Sequence, residues 1–289
     1  MKIQIPLGVR VVDEDANKVL GELNEEGETC LAAGGGLGGS TGNQFLGQKG
    51  GSRIIKLDLK LIADIGLVGF PNAGKSTLLK ALSRTNPKIA SYPFTTISPQ
   101  IGTIEYPDYR QITIADLPGL IEGAHKNIGM GHTFLKHVER TSLLLIIIDI
   151  FGFQLSHNHP RRNCLQNIYA LNKELELYDP SLLEKPSILL VNKMDKNGSE
   201  EEFLRYEKNF NDLTLGIDEC PEEIRPSMLL NFDRIIPISA KFKKEVEKVQ
   251  AGVREVIETN TEIQKDEELQ EEINEKLQKK LREHGPKMV

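Results

Sequence analysis

Cysteine is scarce in this chain. Cys30, Cys164 and Cys220 form an odd, scattered set with no Cys-x-x-Cys pair, which suits reduced thiols in a core rather than a disulfide framework. Long apolar runs are missing too. The longest, Leu143-Leu144-Leu145-Ile146-Ile147-Ile148, falls far below the roughly 18 residues of a membrane span, and reads instead as a central parallel strand. Met1-Lys2-Ile3-Gln4-Ile5-Pro6 is no signal peptide, and no Arg-rich amphipathic transit helix follows it. Positive charge is also in short supply. With 36 Lys and Arg against 42 Asp and Glu, the net charge is -6, so bulk electrostatics gives no affinity for RNA. Any such contact needs a local patch, such as Lys49, Arg53, Lys56 and Lys60. The expectation is an intracellular, monomeric protein without a membrane partner. At 289 residues and 39% hydrophobic content, it can bury one substantial core and a small appendage.

What is present is concentrated in short motifs. Gly69-Phe70-Pro71-Asn72-Ala73-Gly74-Lys75-Ser76-Thr77 fits the phosphate-loop pattern G-x-x-x-x-G-K-[ST]. The run 64–69 before it reads as a buried strand and 76–82 after it as a helix. A glycine-rich turn there lets backbone N–H groups converge on phosphate oxygens at the positive end of the helix dipole. Lys75 would reach the β and γ phosphates, and Ser76 would offer its hydroxyl to Mg²⁺.

A second motif separates guanine from adenine. The apolar strand 187–191 runs into Asn192-Lys193-Met194-Asp195. Guanine presents N1–H and a 2-amino group, two parallel donors that one carboxylate accepts together. Adenine would leave Asp195 unmet, at a cost on the order of 2–4 kcal/mol. Asn192 would tie this loop to the phosphate loop, and the Lys193 stem would lie along the base. Ser239-Ala240-Lys241, after the strand 234–238, would touch guanine O6 through its backbone.

Between these lie two loops suited to sensing the third phosphate. The strand 111–115 ends in Asp116-Leu117-Pro118-Gly119, where the Asp would hold Mg²⁺ and the Gly N–H would meet the γ-phosphate. Upstream, Tyr92-Pro93-Phe94-Thr95-Thr96 sits in a proline-punctuated loop. Thr96 is expected to complete the shell of Mg²⁺ formed with Ser76 and Asp116. Segments 86–98 and 119–131 lack strong apolar periodicity and are expected to be ordered by the triphosphate.

Strand-like runs at 64–69, 101–106, 111–116, 142–150, 187–192 and 234–239 alternate with helical patterns. Cys164, Ile168, Leu171 and Leu175 mark one helix face, and Val246, Val249, Val253 and Ile257 another. The fold class is α/β: a mostly parallel sheet covered on both sides, with an antiparallel hairpin (101–106 with 111–116) at its edge. The nucleotide belongs at the carboxyl ends of the strands. Residues 1–61 form a glycine-rich all-β and coil region, 62–259 the GTPase domain, and 260–289 a charged helical tail.

The phosphate loop, Tyr92–Thr96, Asp116-Leu117-Pro118-Gly119-Leu120-Ile121-Glu122-Gly123-Ala124 and Gly131-His132-Thr133-Phe134-Leu135-Lys136-His137-Val138-Glu139-Arg140 together resemble the Obg (CgtA) GTPases. The likeness runs from about residue 1 to 258 and is densest over 60–150. It implies a slow GTPase that uses Mg²⁺ and switches on a precursor of the large ribosomal subunit, meeting rRNA and ribosomal proteins. It also implies a eukaryotic, mitochondrial or nucleolar type of member. One departure stands out: about sixty residues precede the GTPase domain, where the family has rather more than a hundred. Ile3–Pro6, Val9–Val12 and Val19–Leu23 read as strands. Ala32-Ala33-Gly34-Gly35-Gly36-Leu37-Gly38-Gly39-Ser40 reads either as packed polyproline-II-like segments, as the family implies, or as a flexible linker.

Hydrolytic equipment is sparse. The position after Gly119 where many GTPases carry a water-orienting Gln is Leu120. No cis arginine finger is legible, since Arg84 and Arg140 sit at helix ends and are expected to satisfy carbonyls. That leaves Lys75, Thr96, Gly119 and Asn72 as the catalytic candidates. Asn72 either helps to hold a K⁺ ion where an arginine finger would act, or merely tolerates a left-handed turn. Two function classes stay open: a slow switching GTPase raised by its partner, and a guanine-nucleotide-dependent ribosome- or RNA-binding module with negligible turnover. His157 and His159 read as a solvated loop, and His125, His132 and His137 as poor joint ligands. The tail 264–283, with Leu269, Ile273, Leu277 and Leu281 every fourth residue, reads as a solvated helix or as one docking on a partner.

Overall fold

The computed structural model describes residues 3, 5, 9–16, 18–23, 27–36, 38–39, 41, 45–59, 63–84, 87–89, 100–116, 138, 140–154, 161–263 and 266. The chain divides into two compact units, Met1–Ile62 and Ala63–Val289.

In the first unit, β1 (Val9–Asp13), β2 (Lys18–Leu23) and β3 (Ile55–Leu59) form an antiparallel sheet in the order β2-β1-β3. Val9 and Val11 alternate with solvent-facing Arg10 and are buried, as a half-covered strand requires. Arg10 Nε donates to Glu22 Oε1 at 2.8 Å across the β1–β2 pair. Of the run 3–6 expected as a strand, Ile3 and Ile5 are described and neither lies in a strand; Gln4 and Pro6 lie outside the described residues. The third strand is instead Ile55–Leu59, which the sequence reading passed over.

In the glycine-rich segment Gly36 and Gly39 lie against neighbouring backbone, while Gly34, Gly35 and Gly38 face open space. Gly51 N donates to Gly34 O at 2.9 Å. A Cβ on Gly36 would sit 1.8 Å from Gln48 O, and one on Gly39 would sit 2.3 Å from Phe45 O. Two backbones approach here at a distance that only glycine allows. At Gly36 and Gly39 this supports the packed reading.

The second unit is built on a seven-stranded sheet. Its strands are β4 (Ala63–Val68), β5 (Lys88–Ile89), β6 (Gln100–Glu105), β7 (Gln111–Asp116), β8 (Thr141–Asp149), β9 (Ser187–Asn192) and β10 (Arg234–Pro237), in the order β10-β9-β8-β4-β7-β6-β5. β10, β9, β8, β4 and β7 are parallel. The β6–β7 hairpin is antiparallel, with Gln100 opposite Asp116 and Glu105 opposite Gln111. The expected hairpin is therefore present, with the two-residue β5 added beyond it. β8 is the fully apolar strand read from Leu143–Ile148, flanked on both sides by parallel neighbours.

Alternation along β8 assigns the two faces. Leu144, Ile146 and Ile148 pack with Cys164, Ile168, Leu171 and Leu175 of α2 (Cys164–Tyr178). Leu143, Leu145 and Ile147 pack with Leu78, Leu79 and Leu82 of α1 (Lys75–Leu82) and with Val249 and Val253 of α4 (residues 246–263). Helices thus cover both faces, which is why the middle of β8 is a continuous apolar run rather than an alternation. Asn163 caps α2 through a reciprocal pair with Gln166, satisfying two backbone donors that the first turn leaves open. α3 (Ser199–Asn211) follows Gly198, in a left-handed conformation.

Two smaller readings need correction. Arg84 pairs with Glu105 at 3.4 Å rather than serving helix carbonyls. Of the three thiols, Cys164 and Cys220 are buried but Cys30 is only half-buried. Apart from Asp266, the tail residues 264–283 lie outside the described residues, as do His125, His132, His137, His157 and His159. No helix among the described residues is long and apolar enough to cross a membrane.

Because Gly36 has no room for a Cβ, Gly36→Ala should loosen the first unit without touching the second. Limited trypsin digestion should cut at Lys49 and Arg53 several-fold faster in the variant while GDP affinity stays unchanged. Equal digestion rates would return this segment to the linker reading.

Candidate nucleotide site

The described residues of the phosphate loop, Asp116, Asn192–Asp195 and Ser239–Lys241 fall at the carboxyl ends of parallel strands. β4 leads into Gly69–Gly74 and α1, β7 ends at Asp116, β9 runs into Asn192–Asp195, and β10 is followed by Ser239–Lys241. Together Asn72, Gly74, Lys75, Ser76, Thr77, Asn192, Lys193, Asp195, Lys196, Ala240 and Lys241 line an open cleft of about 500 Å³. A volume of that order suits a nucleotide-sized ligand.

The phosphate loop is shaped by two left-handed residues, Asn72 at φ 62 and Gly74 at φ 110. Asn tolerates that conformation better than other side chains, so the turn role read for Asn72 is met. Gly74 has a second constraint: a Cβ there would lie 2.2 Å from Asn192 Nδ2. Lys75 Nζ donates to Gly69 O at 2.8 Å and Phe70 O at 3.0 Å. Burial lowers the pKa of this ammonium and the Asp116 carboxylate partly offsets the shift. An anionic phosphate oxygen is a stronger acceptor than either carbonyl, so the side chain is poised to exchange partners.

Ser76 Oγ donates to Asp116 Oδ2 at 2.5 Å. Burial raises the Asp116 pKa, against the pull of Ser76 and Lys75. The two oxygen donors expected around a divalent cation therefore converge, and an oxygen set of this kind suits a hard ion such as Mg²⁺. Thr96, the third expected ligand, lies outside the described residues. So do Phe94, Thr95, Leu117, Pro118 and Gly119. Among the described residues no cluster of three or more His, Cys, Asp and Glu could hold a metal by itself.

At the base end, Asn192 performs the tie expected of it. Its Nδ2 donates to Ala73 O at 2.7 Å, and its Oδ1 accepts from Ala240 N at 3.0 Å. Three loops are joined by one buried amide. The second bond qualifies the reading of Ser239–Lys241, because the Ala240 N–H is directed to Asn192. The hydroxyl of Ser239 has a role that was not foreseen. It donates to Asp195 Oδ1 at 2.6 Å, and this bond is the main cause of the lowered Asp195 pKa. A charged acceptor is thus aimed and kept ionised at the cleft mouth, where Asp195 is exposed.

The sequence reading missed two further partners. Lys193 Nζ pairs with Asp149 Oδ2 at 2.6 Å, which fixes the lysine stem from below. Phe153 stacks on Phe70 of the phosphate loop, with centroids 5.4 Å apart and planes at 11°. Asp149 could have been suspected, since it ends an apolar strand on the side where the other motifs gather. Phe153 carries no such signal.

Residues 64–193 match the family model described as a 50S ribosome-binding GTPase. A GTP-binding protein 10 homolog of Drosophila melanogaster is 62% identical over 256 residues, covering 89% of this chain and 67% of that one. GTP-binding protein 10 of Homo sapiens is 47% identical over 265 residues, 92% of this chain and 68% of that one. GTPase Obg of Aquifex aeolicus is 47% identical over 220 residues, 72% and 62% respectively. The chain spans about two thirds of the length of these relatives.

Base selection should rest on Asp195 and its aiming by Ser239. Asp195→Asn should weaken GTP binding and shift preference towards xanthosine triphosphate, whose 2-oxo group an amide can meet. Ser239→Ala should raise the Asp195 pKa, so guanine affinity is lost at a higher pH on acidification than in wild type. Titration with fluorescent GDP across the acid limb reads the shift, and coincident curves would reject the role of Ser239.

Proposed function

The chain belongs to the Obg family of GTPases, and we propose that it acts as a slow switch on precursors of the large ribosomal subunit. The observation that carries the guanine-specific reading is the Asn192 tie, which brings the phosphate loop, Asp195 and Ser239–Ala240 around one cleft. Turnover is proposed to be slow because Leu120 replaces the water-orienting Gln. Without a supplied arginine finger, rates roughly of the order 10⁻⁴–10⁻² s⁻¹ are expected.

Mg²⁺ is proposed as the companion of the nucleotide. Ser76 and Asp116 would hold it, with Thr96 joining when GTP is bound, and the ion would neutralise charge on the β and γ phosphates. The chain's own residues do the remainder. Lys75 moves from its carbonyls to the phosphates, the α1 amino end orients them, and Asp195 excludes adenine. Ser76→Asn should retain some GDP binding but lose Mg²⁺-dependent GTP binding. If the Mg²⁺ dependence of GTP affinity survives in that variant, Ser76 is not the ligand.

Asn72 is proposed to help hold K⁺ beside the phosphates, in place of an arginine finger. Exchanging K⁺ for Na⁺ should then slow single turnovers several-fold, and Asn72→Ala should abolish the difference. The same rate in both salts would leave Asn72 as a turn residue.

Segments 86–98 and 119–131 are proposed to be the switch. Thr96 and Gly119, by meeting the ion and the γ-phosphate, would supply the differential affinity that a population shift requires. Thr96→Ala should bind GTP yet fail to sediment with large ribosomal subunits in the presence of a non-hydrolysable GTP analogue. Co-sedimentation that ignores both the analogue and Thr96 would make the chain a constitutive binder. Mitochondrial or nucleolar placement belongs to the same proposal, and cell fractionation with an antibody to the protein tests it.

A further inference from the structure

The loop that completes the guanine end of the cleft has a second face. Ser239 N donates to Lys244 O at 3.3 Å and Lys244 N to Ser239 O at 3.0 Å, closing Ala240–Lys243 into a tight turn. Its root is anchored, with Ile238, Ser239 and Ala240 buried. Its tip is Lys241-Phe242-Lys243-Lys244, all exposed, and Phe242 shows 58% of its surface. Lys241 Nζ lies 5.2 Å from the Phe242 ring centroid. Lys243 and Glu245 hold left-handed conformations, at φ 54 and φ 62. Glu245 pairs with Lys248 at 2.8 Å, which leaves the three tip lysines as the net charge of the turn.

We propose that this turn is a contact for single-stranded RNA, with Phe242 stacking on a base and Lys243 and Lys244 meeting backbone phosphates. Recognition of single strands combines these two elements: a cationic track for the backbone and an aromatic face for a base. A flexible basic tail would lose ordering entropy on binding, whereas a closed turn has already lost it. The net charge of -6 makes a local patch the necessary form of any RNA contact, and this one lies within the described residues. An anionic membrane is the poorer match, because one phenyl ring and three lysines on a short turn present too little apolar area to anchor.

The proposal deepens the ribosomal reading, since a subunit precursor offers single-stranded RNA, but it can be tested without ribosomes. The full chain, loaded with GDP, is titrated against an end-labelled single-stranded oligoribonucleotide of mixed sequence, and anisotropy is followed over a series of KCl concentrations. Phe242→Ala should weaken binding roughly tenfold, with GDP affinity within about twofold of wild type as the check on folding. Lys243→Gln with Lys244→Gln should reduce the slope of log K against log salt by about 1.4, or ~0.7 per phosphate contact on a single strand.

Unchanged affinity and slope in both variants would overturn the assignment, as would a wild type that binds no oligoribonucleotide. Binding to phosphatidylserine vesicles without RNA binding would overturn it in favour of a membrane surface. Oligonucleotide binding that the variants lose, in a chain that never sediments with large subunits, would uphold the RNA turn and reject the ribosomal partner.

Discussion

The nucleotide site depends on one buried amide. Asn192 donates to Ala73 O and accepts from Ala240 N, so the phosphate loop, the guanine loop and the last loop of the sheet share a single node. Buried polar groups that lose a partner cost about 1–3 kcal/mol each, and Asn192 has both halves of its amide engaged. The node also explains a glycine. Gly74 must leave room for Asn192 Nδ2 as well as adopt φ 110, so the phosphate loop and the base loop constrain each other sterically before any ligand is considered.

Two carboxylates in the cleft are pushed in opposite directions, and the difference suits their tasks. Asp116 is buried beside Ser76 and Lys75, and burial raises its pKa. That group gains from a cation brought to it. Asp195 stands exposed, and the Ser239 hydroxyl lowers its pKa. It stays an acceptor, as two guanine donors require. The same hydroxyl belongs to the closed turn whose tip carries Phe242, so base recognition and the proposed RNA contact share one rigid piece of backbone.

The connection after β8 supports the cleft from behind. Asp149 holds Lys193, Phe153 stacks on Phe70, and Lys196 Nζ lies 5.3 Å from the Phe151 ring centroid. Gly152, at φ 79, lets this segment approach Arg162 O where a Cβ would fall 1.9 Å away. A stretch that carries none of the recognised motifs thus positions residues from two that do.

Local chemistry made much of this legible in advance. Six strands, the parallel sheet and its edge hairpin follow from apolar runs and alternation, because strands covered on both faces tolerate little else. The phosphate loop, Asn192–Asp195 and Asp116 follow because phosphate and guanine demand particular groups at short spacing. Contacts between residues distant in sequence were not legible. Nothing local reveals that Ser239 aims Asp195 across 44 positions, that Asp149 holds Lys193, or that Phe153 reaches Phe70. Nor does composition reveal that Gly36 lies against another backbone, where a Cβ would fall 1.8 Å from Gln48 O. The sequence by itself determined the motifs and the strand ends at which their described residues stand. Only the tertiary structure decided how those groups are aimed, because aiming depends on partners that folding alone brings within hydrogen-bond reach.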